Sequence, residues 1–134
     1  MAKKQTDNIG NITWITADLV KKPFVSVDTQ LRLYFSAEAR NLLKADEVMI
    51  AYDHTNKRII VGNPAYVRPA NVKPHKLDRR GYASARPFVR TLGLTASDLP
   101  LRFEYVGKDY TIDGSHAFQL IGDDKAGEDG GRAL

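Results

Sequence analysis

Apolar and polar positions fall in short blocks along this chain, and the blocks predict strands and short helices in a repeating order. Asn11-Ile-Thr-Trp-Ile-Thr16 carries β-branched and aromatic residues, and Phe24-Val-Ser-Val27 follows Lys21-Lys22-Pro23, so two extended segments are expected there. Leu31-Arg-Leu-Tyr-Phe35 reads as a further strand. Ser36 is a good helix N-cap and Glu38 suits a first turn, while Phe35, Ala39, Leu42 and Leu43 share one helical face, which predicts a helix over about 36 to 44. Val48-Met-Ile-Ala-Tyr52 is nearly all apolar, as a strand buried on both faces is, and Asp53-His-Thr-Asn-Lys57 supplies a turn before Arg58-Ile-Ile-Val61 completes a β-hairpin.

Pro64, Pro69 and Pro74 then exclude any helix or central strand, so this stretch is a linker. Beyond it the earlier order returns. A turn at Asp78-Arg-Arg-Gly81 leads to a short extended piece from Tyr82, then to a helix over about Ser84 to Leu92 with Pro87 in its first turn and Gly93 at its end. Leu101-Arg-Phe-Glu-Tyr-Val106 alternates, Gly107-Lys108 reads as a tight turn into Asp109-Tyr-Thr-Ile112, and His116 to Ile121 is a final strand. Aromatic residues in such strand patterns belong to the core rather than to a surface that stacks nucleobases, and Trp14 is assigned there.

Turn, strand, helix, strand, turn, strand thus occurs twice at an offset of about 50 residues, with Arg40-Asn-Leu answered by Arg90-Thr-Leu. The expected fold is mainly β with two short helices, built from duplicated β-α-β-β units. Residues 1–10 are a frayed tail, 11–121 form one barrel domain, and 122–134 are an acidic, Gly-rich tail. Within the domain lie repeat 1 (about 24–62), the Pro-rich linker (63–74) and repeat 2 (about 75–121).

Length and composition narrow the functional classes. At 134 residues the chain holds one domain, and zero Cys removes disulfides, thiolate metal sites and cysteine nucleophiles. Membrane spans of roughly 18 uninterrupted apolar residues are not found, and the first residues lead into no apolar signal core, so a cytoplasmic protein is expected. Between Lys57 and Arg90 lie nine basic residues and one acid, a local net charge of +8, whereas the last thirteen residues are acidic.

The segment Val27-Asp-Thr-Gln-Leu-Arg-Leu-Tyr-Phe-Ser-Ala-Glu-Ala-Arg-Asn-Leu-Leu43 resembles the signature of the AbrB/SpoVT/MazE swapped-hairpin proteins. Asp28, Arg32, Glu38, Arg40 and Leu43 sit where that pattern has its acid turn, Arg, apolar strand and E-L-R helix. Asp78-Arg-Arg-Gly81 is similar to the family's turn, and Arg90-Thr-Leu-Gly-Leu94 to its helix end. Ser36 stands where the family usually has Pro, and the second copy needs a one-residue shift between turn and helix. The resemblance implies a swapped-hairpin, double-psi-like β-barrel, normally made by two chains, that binds DNA through basic residues on one face. Two copies in one chain then make a monomeric pseudo-dimer or a homodimer of complete barrels.

Chemistry along the chain points the same way. His54, His75 and His116 lie far apart with no metal-ligand spacing, no phosphate-cradling glycine motif occurs, and Asp123-Asp124 sits in a Gly-rich tail with nothing to desolvate it, so no enzyme, metal or cofactor is expected. The basic constellation is different. Lys73, Lys76, Arg79 and Arg80 approach and enter the second turn, Arg86 and Arg90 lie on or near the second helix, and Arg32 and Arg40 are their counterparts in the first copy. Lys and Arg neutralise phosphates and Arg reads guanine edges, so these residues are the candidate contacts to double-stranded DNA. Arg40 and Arg90 serve equally well in ion pairs to Glu38 or Glu104. The expected function is a small non-enzymatic DNA-binding protein, a transcriptional regulator. The alternative is a protein-binding module, an antitoxin or an inhibitor of a host enzyme.

Overall fold

A computed structural model of the chain describes residues 8–15, 17, 21–109 and 112–122. Most of both expected tails, 1–7 and 123–134, lies outside them. Among the described residues ten strands, two α-helices and one 3-10 turn follow one another, and eight of the strands form a single antiparallel, nearly closed barrel-like sheet. The chain is therefore mainly β with two short helices, as its pattern predicts.

The barrel comprises two units. The first is β3 (Phe24–Val27), β4 (Arg32–Phe35), α1 (Ala37–Leu43), β5 (Glu47–Asp53) and β6 (Arg58–Gly62). The second is β7 (His75–Lys76), β8 (Tyr82–Ser84), α2 (Arg86–Leu92), β9 (Leu101–Asp109) and β10 (Ser115–Leu120). Around the sheet the order is β7-β5-β6-β10-β9-β3-β4-β8, so every run of strands from one unit is flanked by strands of the other. Exchanging the units maps β3–β9 onto β7–β5 and leaves β4–β8 and β6–β10 in place. The two edge strands, β7 and β8, are consecutive in sequence, and the turn between them bridges the gap in the ring.

Period-two alternation fixes which side chains fill the interior. Val25, Val27, Leu33, Phe35, Phe103 and Phe118 are wholly buried, each beside an outward neighbour. Helix α2 adds Phe88, whose ring meets Phe103 and Tyr52 edge-on at 6.3 and 6.4 Å. Helix α1 adds Ala39 and Leu43, and its cap is built into the sheet. The buried Ser36 Oγ accepts from the N–H of Ala39 (3.2 Å), its own third helical position, and from the N–H of Phe24 (3.0 Å) on β3. Its counterpart Ala85 has no capping side chain, and Pro87 and Ser84 Oγ, which accepts from Arg86 N–H (3.2 Å), start α2 instead. Gly93 ends α2 in the left-handed conformation, as expected.

Three expectations are corrected. Trp14 and Ile15 are 70% and 87% exposed, not core: β1 (Asn8–Ile9) and β2 (Ile12–Thr13) make a two-stranded hairpin that joins no barrel strand, so the sheet does not cover Trp14 or Ile15. The tight turn at Gly107-Lys108 is instead part of β9, which runs on to Asp109. Its pairing with β10 jumps from Phe118↔Tyr105 to Ala117↔Gly107, leaving Val106 as the extra residue of a β-bulge, and Gly107 takes the positive φ (125°) there. Finally, Arg40 and Arg90 are not equivalent. The units match at an offset of 50 through the turns, yet the helices run Ala37–Leu43 and Arg86–Leu92, one residue less, so Val89 occupies the place of Arg40.

The linker packs on the barrel it crosses. Tyr66 and Val67 N–H both return to Asn63 O (2.9 Å each), Asn63 Nδ2 donates to Leu43 O (3.2 Å), and a Cβ on Gly62 would lie 2.8 Å from Val67 Cγ2. Glycine at 62 is what admits that approach.

Because β3, β4 and β5 each find a hydrogen-bonding partner in the other unit, neither unit satisfies its own strand edges. Cleavage within 63–74 followed by separation of the fragments is expected to leave both without the native far-ultraviolet circular dichroism, and mixing them to restore it. Two fragments that fold separately would contradict the arrangement.

Candidate nucleic-acid interface

Two aspartates shape the polar side of the seam between β4 and β8. Asp28 Oδ1 accepts from the N–H of Gln30 (2.9 Å) and Arg32 (3.0 Å), and the backbone closes with Asp28 N–H to Arg32 O (3.0 Å). Asp78 repeats this on Arg80 (2.8 Å), Tyr82 (2.9 Å) and Tyr82 O (2.8 Å). A short acidic side chain reaching its own turn is what Asp supplies best. The fourth residue of each turn is left-handed, Leu31 at φ 60° and Gly81 at φ 92°. The turns are also joined crosswise, with Phe35 N–H donating to Gly81 O and Ala85 N–H to Leu31 O, both at 2.9 Å.

These contacts set the carboxyl chemistry. Burial pushes the Asp28 carboxyl up, but bonds from the Arg32 backbone and guanidinium and from Gln30 outweigh it and hold it below its ordinary value. At Asp78 the Tyr82 N–H leads, assisted by Arg80 and Gly81, and the shift is again downward. Burial lowers His75, and burial together with Lys108 lowers His116, whose Nδ1 lies 3.0 Å from the Tyr105 hydroxyl.

The candidate residues separate into groups. Arg32 and Arg80 converge: their guanidinium carbons lie 5.0 and 5.1 Å from the centre of the Tyr82 ring, and Arg32 Nε also binds Asp28 Oδ2 (2.8 Å). Arg79 is exposed beside Arg80 on the second turn. Arg40 braces that turn from behind, Nε donating to Phe35 O (3.0 Å) and Nη1 to Arg79 O (3.2 Å), rather than pairing with Glu38. Arg86 follows Ser84, which is paired with Arg32, and is exposed at the start of α2, with Arg90 exposed one turn on. Glu104 has other partners than Arg90, namely Arg102 (3.5 Å) and Lys22 (4.0 Å). Lys73 and Lys76 are exposed on the β7 side, where Lys76 stands opposite Glu47 of β5. Among the described residues no group of three His, Asp or Glu converges to hold a metal.

The aromatic component is what the sequence reading missed. Phe24, Tyr34 and Tyr82 lie on the outer face of β3, β4 and β8, half-buried, with Tyr34 directly opposite Tyr82. Parity carried the signal: Val25 and Phe35 point inward, so Phe24 and Tyr34 point outward. Arg102, on β9 opposite Ser26, places its guanidinium carbon 3.7 Å from the Phe24 centre.

Two measurements check this geometry. Carbon-detected titration of the Asp28 and Asp78 carboxyls is expected to give midpoints below 3.8. With the folded-state value depressed, the turns stabilise the fold fully above the unfolded value and lose that contribution as pH falls through the folded one. Midpoints at or above 3.8 would contradict the turn assignment. Replacing Gly81 by Ala places a Cβ 2.5 Å from Phe35 O and 2.7 Å from Arg40 Nε at positive φ, so chemical denaturation should show a loss of about 1–3 kcal/mol or more.

Comparison with known proteins leaves this geometry to stand alone: no family model matches the chain, and no curated protein or solved structure matches it.

Proposed function

We propose that this chain is a small non-enzymatic DNA-binding protein, a regulator built as a duplicated swapped-hairpin barrel, and that the seam between its two units is the DNA-binding face. The observation that carries the reading is the convergence of Arg32 and Arg80, from different units, on the half-buried Tyr82 ring, with Arg79 and Arg86 exposed on the segments either side. Guanidinium groups held by a turn and a ring are oriented for phosphate before a ligand arrives, and a rigid turn suits their entry to a groove. Arg40 acts in this reading by fixing the turn that presents Arg79 and Arg80. Lys73, Lys76 and Arg90 extend the positive field around the same turn and α2.

The rival reading, a protein-binding module, is favoured by one feature, the exposed apolar run of Ile12, Trp14 and Ile15 beside the barrel. Titration of a random-sequence duplex at two salt concentrations separates the two. Duplex affinity is expected to fall steeply with salt, each neutralised phosphate adding about 0.9 to the log–log slope. Absence of binding at about 50 mM salt favours the protein module.

Replacing Arg79 and Arg80 together by Ala is expected to leave stability within about 0.5 kcal/mol per site. The same change should weaken duplex binding by about 1–3 kcal/mol per lost contact and flatten the salt slope by about one unit per phosphate contact. Replacing Lys3 and Lys4 removes equal charge and should cost much less affinity. Equal losses in the two double variants mean diffuse attraction only, and unfolding of the Arg79/Arg80 variant means the pair is structural.

A further inference from the structure

Four strands of the barrel, β9, β3, β4 and β8, present an unbroken row of rings and guanidinium groups on their outer face. Arg102 covers Phe24 at 3.7 Å, Phe24 and Tyr34 are 5.8 Å apart and inclined at 54°, and Tyr34 and Tyr82 are 4.8 Å apart and inclined at 41°. Arg32 and Arg80 end the row at 5.0 and 5.1 Å from Tyr82. Helix α1 borders the row at its Phe24 end through Ala37 and Glu38, while Ala39, Leu43 and Phe88 of the two helices enter the core. At the Phe24 end the row opens into a depression of about 530 Å³ lined by Lys21, Lys22, Phe24, Tyr34, Arg102 and Glu104.

We propose that this row is a stacking platform for the unpaired bases of a single-stranded DNA segment, whose phosphates run along Lys21, Lys22 and Arg102 at one end and Arg32 and Arg80 at the other. The proposal rests on the DNA-binding reading above and deepens it: besides the duplex, the same face takes unpaired bases. Three features support bases rather than paired DNA. The rings stand on adjacent strands, so successive bases meet Tyr82, Tyr34 and, at the Phe24 end, the Arg102 guanidinium plane that lies over that ring. A duplex buries its base faces in its own stack and offers the rings only edges and backbone. The cations flank the rings at both ends, which matches a strand whose backbone passes beside its splayed bases. The acids on the face do not close it to phosphate: Asp28 is engaged by its own turn and by Arg32, and Glu104 by Arg102 and Lys22. Glu38, at the rim of the depression, is a remaining acid.

Cross-strand ring pairs also stabilise sheets without any ligand, and the test distinguishes that role. Fluorescence anisotropy would be measured with the full chain on three labelled probes: a twelve-nucleotide thymidine oligomer, a duplex of the same length, and a base-free deoxyribose-phosphate twelve-mer. The variants are Phe24→Leu and Tyr34→Leu, which keep an apolar side chain on the sheet and remove the π-face, and Tyr34→Phe, which keeps it. Thermal melting of each variant reports the sheet separately. The expected result is tighter binding of the thymidine oligomer than of the base-free one, weakened about 5- to 150-fold by each Leu change and restored by Tyr34→Phe, with duplex affinity unchanged.

Equal affinity for the thymidine and base-free oligomers overturns the platform, as does thymidine binding indifferent to the Leu changes. Duplex binding with no oligomer binding overturns it too and leaves the DNA reading standing. Binding of none of the three at low salt overturns the DNA reading itself, and the platform with it. Should one Leu variant melt far below the parent, the other, together with Tyr82→Leu at the next ring of the row, replaces it with the same expected selectivity for the thymidine probe.

Discussion

Everything in this barrel depends on backbone groups at the β4–β8 seam that only the other unit can satisfy. Phe35 N–H needs Gly81 O, and Ala85 N–H needs Leu31 O. A buried amide without a partner costs about as much as a lost hydrogen bond or more, so two such donors and the flanking strand pairs make separation of the units unfavourable. Holding both units in one chain keeps their effective concentration high whatever the protein concentration. The linker, packed on Gly62 and hydrogen-bonded to Leu43, shortens the search further.

That same seam carries the candidate interface. The aspartate turns that close each unit also orient Arg32 and Arg80, so the residues nearest the proposed ligand are fixed by the hydrogen bonds that complete the fold. Arg40 shows the coupling most directly. Its guanidinium holds the carbonyl of Arg79 from inside while the Arg79 side chain remains exposed outside. Function and stability meet at Gly81, where no larger residue fits between Phe35 O and Arg40.

Much of this was legible in the sequence, because local chemistry decides it. Ser36 before an apolar helical face, Pro87 and Gly93 around the second helix, and aspartates at the head of each turn all act within a few residues. Three features were not. Gly107 suits a tight turn and a bulge equally, and only the register against β10 decides between them. Arg40-Asn-Leu and Arg90-Thr-Leu match at fifty residues although the turn and helix of the second copy already need a one-residue shift, and the helix bounds decide that Val89, not Arg90, answers Arg40. Trp14 lies in a β-prone segment, yet strand propensity places a residue in a sheet only when a neighbouring strand is available. The ring row falls between these cases: parity gave the direction of Phe24 and Tyr34, while their assembly with Tyr82 and Arg102 required the pairing of strands from both units.

The row does not follow the exchange of units that the strand pairings obey. Fifty residues on from Phe24 and Tyr34 stand Pro74 and Ser84, so the exchange carries neither ring onto another ring. A barrel assembled from two identical chains must display any surface twice, related by its axis, and so treats a ligand and its reversed copy alike. Two units within one chain need not be alike. This chain has a single sided face, with Arg102 at one end and Arg32 with Arg80 at the other, and a polymer lying along it meets a direction built into the protein.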